Sequence, residues 1–240
     1  MLHKSSSFIV AIAASCLLAF HGNAGSIKGK VDFKGKKTTP AKIKMSADPK
    51  CVKIHAGKDV TSEQVVVNDN NTLRYVFVYV KKGLEGKKFP TPSQKVTIDQ
   101  KGCMYNPHIF GMMPNQSIEI TNSDQTMHNI HALPKNSTQF NIAQPKQGMK
   151  MTKSFTKSEV MVKIKCEVHN WMACYVGVLD HPFYAVTDDK GNFEIKNLPA
   201  GDYELEAWHE TYGTQTMTVS VGAADTKTAD FSSDKFVSTK

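Results

Sequence analysis

Along most of this chain apolar and polar residues alternate at every second position, the period of a half-buried β-strand, and no long stripe of helical period interrupts them. SIKGKVDF, running into a Gly-Lys-Lys turn, predicts a first strand, and LRYVFVYV over 73–80 predicts a strongly buried one. KGLEGKKFPTP over 82–92 is rich in Gly, Pro and Lys and marks a loop and a boundary. Beyond it KVTID, MMPNQSIEITNSD, MHNIHAL and CYVGVLD read as further strands and turns. SEVMVKIKC alternates, which puts Val160, Val162, Ile164 and Cys166 on one face and Met161, Lys163 and Lys165 on the other. Near the C-terminus the turn Asp188-Asp189-Lys190-Gly191 separates AVT from FEI, and the tail SSDKFVSTK is expected to fray. The pattern predicts an all-β chain.

The first residues break that pattern. Lys4, an apolar stretch from Phe8 to Phe20 and small residues before Gly25 have the layout of a secretory signal peptide, residues 1–24, with cleavage after Ala24. The apolar run is too short for a membrane span, Cys16 falls inside the discarded segment, and no later stretch is long or apolar enough to cross a bilayer. The expected location is therefore the periplasm or the extracellular space. The formal charge is +8, and nearly all the positive charge is lysine, Arg74 being the one arginine. Without arginine's planar fork, nucleic-acid recognition is disfavoured. A lysine-rich surface suits transient docking to an acidic partner, and plain solubility accounts for it equally well. Cys51, Cys103, Cys166 and Cys174 remain after cleavage, and four cysteines allow three pairings.

Residues 165–176, KCEVHNWMACYV, concentrate the candidate chemistry: Cys166, His169, Met172 and Cys174. Strand phase points Cys166 into the core at a strand end, and the chain returns His169 close by. In MHNIHAL, His128 shares a face with Ile130 and Ala132, while His131 faces the other way. One thiolate, two imidazoles and a thioether form a soft set suited to copper, and trigonal His₂Cys with a weak axial Met is the blue-copper arrangement. Three alternatives stand beside it. Cys166, His169, Cys174 and His181 are a possible closed zinc set; Cys166 and Cys174 are a possible disulfide; and each residue alone is compatible with ordinary packing. His108, His181 and His209 are read as structural, with a second copper site among them left open.

TNSDQTMHNIHAL, Cys-x₂-His at the end of an alternating strand, and VTIDQKGCMYNPHIFGMMPNQSIEI together resemble the cupredoxin family, over residues 94–180. That resemblance implies a Greek-key β-sandwich or barrel holding one type 1 copper ion on His128, Cys166 and His169, with Met172 axial. Plastocyanin-like loops place the axial Met five residues after the His, where this chain has Cys174. Met172, three residues after the His, has the spacing of the binuclear copper domain of cytochrome oxidase, whose Cys-x₃-Cys is missing here, so a mononuclear centre is expected. Copper needs Cys166 as a free thiolate, which leaves Cys51 and Cys103 as the natural disulfide and Cys174 unpaired.

YAVTDDKGNFEIKNLPAGDYELEAWHE resembles the carboxypeptidase regulatory-like domain, a small transthyretin-like β-sandwich, expected within 181–240. SIKGKVDFKGK looks like the opening strand of the same kind of module, so residues 25–93 are an N-terminal β segment that would make this second sandwich discontinuous around the copper domain. The expected function is single-electron transfer by an exported blue-copper protein, more a carrier than an enzyme, with His169 as the electron's exit and an acidic cytochrome as the kind of partner. A copper enzyme with an open coordination position and a copper storage or delivery protein are the alternatives.

Overall fold

The computed structural model of the protein describes residues 24–238; the predicted signal segment with Cys16 lies outside the described residues except for Ala24. The described chain is all-β apart from the short helix Pro49–Ile54 and a 3₁₀ turn at Ser233–Lys235, and it forms two sandwiches.

In the first, one sheet orders Ile109–Met112, Ala173–Val178, Glu159–Lys165, His128–Ala132 and Phe140–Gln144. The second sheet orders Tyr105–Asn106, Val96–Gln100, Ile118–Asn122 and Lys150–Lys153. Ile98, Ile118 and Ile120 from one sheet meet Ile130, Val162, Ile164 and Val176 from the other in one buried cluster. This is the two-layer solution that alternating strands require.

The second sandwich draws on both ends of the chain. Gly25–Asp32 pairs antiparallel with Asn192–Leu198 and parallel with Thr226–Thr228 and Phe231–Ser232. The facing sheet orders Tyr184–Val186, Phe77–Lys82, Gly201–His209 and Gly213–Val221. Between Gly25–Asp32 and Phe77–Lys82 the chain crosses to the other sandwich, where Ile43, Met45, Cys51 and Val60 join the first core.

Three sequence expectations shift. A bulge between Glu159 and Val162, with Met161 at φ 60°, adds one residue to that strand. It turns Val160 outward, 39% exposed, so the inward phase begins at Val162. The strand expected at 73–80 starts only at Phe77, because Tyr75 adopts a positive φ of 63°. The tail does not fray within the described residues: Val237 and Thr214 exchange two backbone hydrogen bonds, and Phe231 is buried.

The sandwiches meet at a glycine-lined seat. Gly111 and Gly177 lie opposite each other on parallel strands. The stacked rings of Phe77 and Tyr184, 5.3 Å apart, rest on them. A Cβ on Gly177 would sit 2.3 Å from Phe77, and one on Gly111 2.4 Å from Tyr184. Tyr184 also donates to the Gly111 carbonyl at 2.7 Å. Gly177→Ala is expected to cost about 1–3 kcal/mol through this overpacking; an unchanged denaturation midpoint would show that the rings are not seated there.

His181 and His209 each hydrogen-bond to backbone groups. His209 Nδ1 accepts from the Thr211 and Tyr212 amides at 3.1 and 3.3 Å, which suits a neutral ring. Burial, with His108 nearby, pushes its pKa down to about 4. The unfolded chain then binds the proton first as pH falls, so this share of stability is complete above about pH 6.5 and is lost as pH drops through about 4. Denaturation at pH 7 and pH 4 should show wild type losing about 3 kcal/mol more than His209→Gln; equal losses would contradict it.

Candidate metal centre

Cys166 follows the strand Glu159–Lys165 directly, and its loop closes back on itself. The Cys166 amide donates to the Met172 carbonyl at 3.2 Å and the Met172 amide to the His169 carbonyl at 2.9 Å. The His169 amide points at Cys166 Sγ, 3.4 Å away. His128 opens the strand His128–Ala132, in register with Gln144. The turn before it is fixed by Asn122, whose side chain donates to the Thr126 and Gln144 carbonyls and accepts from the Asp124 amide.

These pieces converge. Ligand atoms of His128, Cys166 and His169 all lie within 4.8 Å of one another, and all three residues are buried. The two Nδ1 atoms face each other at 2.9 Å, and Cys166 Sγ is 3.8 Å from His169 Nδ1. Each ring's far nitrogen meets a carboxylate: His128 Nε2 lies 2.8 Å from Asp124 and His169 Nε2 3.0 Å from Asp48. Such partners fix ring orientation and leave the inner nitrogens free to bind a metal.

Asn129 ties the two segments together. Its Oδ1 accepts from the Glu167 amide at 2.6 Å and from Cys166 Sγ at 3.2 Å, and its carbonyl accepts from Tyr105.

The electrostatics agree with the geometry. Burial alone would raise the Cys166 thiol, but the imidazoles of His128 and His169 and the neighbouring amides bring it down to about 5. Burial would likewise raise Asp48, yet hydrogen bonds from Thr126, His169 and the Lys50 amide hold it at about 2. Asp124 is lowered against its burial by His128 and by the Cys103 and Gly102 amides. Three anions around two imidazoles form a site that a cation would complete. The donor set of one thiolate and two imidazoles fits a soft or borderline metal.

Met172 is fully buried in the same core cluster, on the loop that holds His169. Cys174 is free and buried, its thiol pushed up by burial with Glu63 and Glu210 nearby. Among the described residues neither Cys174 nor His181 joins a group of metal-ligating atoms, so the zinc set of Cys166, His169, Cys174 and His181 does not assemble. His181 instead pairs with the Val80 carbonyl and the Phe183 amide. Cys166 and Cys174 are both unpaired, and the disulfide is Cys51–Cys103. His131 turns away to Glu167 at 2.5 Å. His108 binds the Ala173 carbonyl at 3.1 Å and Glu210 at 2.6 Å, across the two sandwiches.

His169 is 1% exposed. The helix Pro49–Ile54 covers it, bringing Asp48 as its N-cap and Cys51, whose Sγ is 3.5 Å from His169 Nε2. Trp171 flanks the ring at 5.1 Å between centroids and donates to the Cys103 carbonyl. Asp48, Asp124 and Trp171 were not singled out from the sequence. Asp124 had a local signal, four residues before His128 on the same turn. Asp48 had one as an Asp-Pro helix start ahead of Cys51.

Comparison with known proteins adds the following. Residues 176–233 match the carboxypeptidase regulatory-like domain. No curated protein sequence matches the chain. Solved structures similar to part of it are cupredoxins. A purple cupredoxin from Nitrosopumilus maritimus is 22% identical, covering 35% of this chain and 99% of that one, with a TM-score of 0.30. A copper-containing nitrite reductase from Thermus scotoductus is 20% identical, covering 40% of this chain and 24% of that one, with a TM-score of 0.32. A Cu(I) amicyanin mutant is 15% identical, covering 37% of this chain and 86% of that one, with a TM-score of 0.32.

Asp124 accepts from the Gly102 and Cys103 amides as well as from His128. Asp124→Ala should therefore cost about 3 kcal/mol by leaving buried donors unpaired; chemical denaturation within about 0.5 kcal/mol of wild type would contradict the assignment.

Proposed function

We propose that this is an exported copper protein that carries single electrons between redox partners. The observation that carries the reading is the opposed Nδ1 pair of His128 and His169 beside the Cys166 sulfur, with both outer nitrogens held by carboxylates. His128, Cys166 and His169 would hold one type 1 copper ion, with Met172, buried on the same loop, as a weak fourth contact. When bound, copper supplies a one-electron couple between Cu(II) and Cu(I).

The protein's own residues keep the site rigid and dry. Asp124 and Asp48 fix the rings, Asn129 fixes the loop against its neighbouring strand, and the core excludes water. A site that barely rearranges suits a carrier better than an enzyme, which needs an open position. With His169 covered, the electron crosses the half-buried Trp171, the aromatic ring in contact with it. An acidic redox protein is the partner that a lysine-rich surface favours. The periplasmic or extracellular location rests on the signal-like N-terminus and on a disulfide of the kind oxidising compartments preserve.

Adding Cu(II) should produce an intense visible thiolate-to-copper band that Cys166→Ser abolishes. A colourless protein that retains zinc would sink the reading. Met172→Leu should move the reduction potential while Cys174→Ser leaves it in place; the reverse would make Cys174 the axial ligand.

A further inference from the structure

A second set of soft donors lies against the same imidazoles and supplies no ligand in that reading. Cys51 and Cys103 are fully buried, and their ligand atoms and one of His169 lie within 4.8 Å of one another. Cys103, Asp124 and His128 form a further group within the same limit. Cys51 Sγ approaches the outer nitrogen of His169, whereas Cys166 lies by the inner one. The ring of His169 thus stands between two sulfur sites, one a free thiol and the other closed as a disulfide.

We propose that reduction of Cys51–Cys103 opens a second metal site, in which the two thiolates bind one Cu(I) ion with His169 Nε2 as a third donor within reach. Two sulfurs and one imidazole suit a soft monovalent ion of low coordination number. The surroundings argue for a metal rather than a bare dithiolate. The carboxylates of Asp48, 3.0 Å from His169 Nε2, and Asp124, 2.8 Å from His128 Nε2, already stand beside the pair, and two buried thiolates next to them need a cation to balance them. Reduction and metal binding are therefore linked: a ligand that binds only the reduced form favours that form.

The step balances with an external dithiol as reductant. It gives two electrons and two protons and becomes a disulfide, the Cys51–Cys103 bond breaks, and both thiol protons leave to solvent as the ion binds. Asp48 keeps its hydrogen bonds from Thr126 and the Lys50 amide when His169 Nε2 turns to the new ion.

This site needs no Cys166, so its test is separate from that of the electron carrier. Full-length Cys166→Ser protein is reduced anaerobically with dithiothreitol, freed of reductant and titrated with Cu(I) against bicinchoninate. About one equivalent should resist the chelator, and none should do so while the disulfide is intact. Adding Cys51→Ser and Cys103→Ser should abolish that equivalent. Reduced wild type serves as a check that needs no substitution: Cu(I) should block alkylation of Cys51 and Cys103, mapped by mass spectrometry. Failure of the reduced protein to retain Cu(I), or alkylation of both cysteines at the same rate with and without the ion, would overturn the proposal. The visible Cu(II) band of the oxidised protein is indifferent to either outcome.

Discussion

The candidate metal centre depends on the opposition of two imidazole nitrogens, which two carboxylates enforce. Left alone, two histidine rings 2.9 Å apart at Nδ1 would rotate away or be separated by water. Asp124 on one side and Asp48 on the other prevent this by taking the Nε2 positions. Each carboxylate is itself fixed, Asp124 by two backbone amides and Asp48 by Thr126 and its own helix. The orientation of the rings is thereby passed back to the backbone of a turn and a helix N-terminus, which is the rigidity a metal site of defined geometry needs.

Much of this was legible in the chain. Alternation from Val162 onward sends Cys166 inward, and its two-residue spacer brings His169 back to the thiol. The phase of MHNIHAL separates His128, fully buried, from His131, which pairs with Glu167 at the surface. The regulatory-like module was legible too, because its turn and core residues are local: Phe193, Leu198 and Tyr203 are buried where their spacing puts them.

What escaped was tertiary. Asp48 comes from a segment far upstream in sequence that leaves the second sandwich, crosses to the first and returns. Nothing in its local pattern says which surface it covers. The same crossing lays a helix and a disulfide over His169, a cover that the local sequence does not mark. The bulge at Met161 was equally invisible, since no Gly or Pro marks it and the alternating pattern continues through it. Its consequence is physical: Met161 turns toward the aromatic cluster that joins the two sandwiches. The Gly111–Gly177 seat that receives Phe77 and Tyr184 holds one module against the other through stacked rings rather than through surface charge.

X-ray absorption at the copper edge of the metal-loaded protein tests the central claim most directly, because it reports the atoms bound to the ion. The account predicts one short sulfur contact and two imidazole rings. A shell of nitrogen and oxygen alone, or one made of sulfur without imidazole, would contradict it.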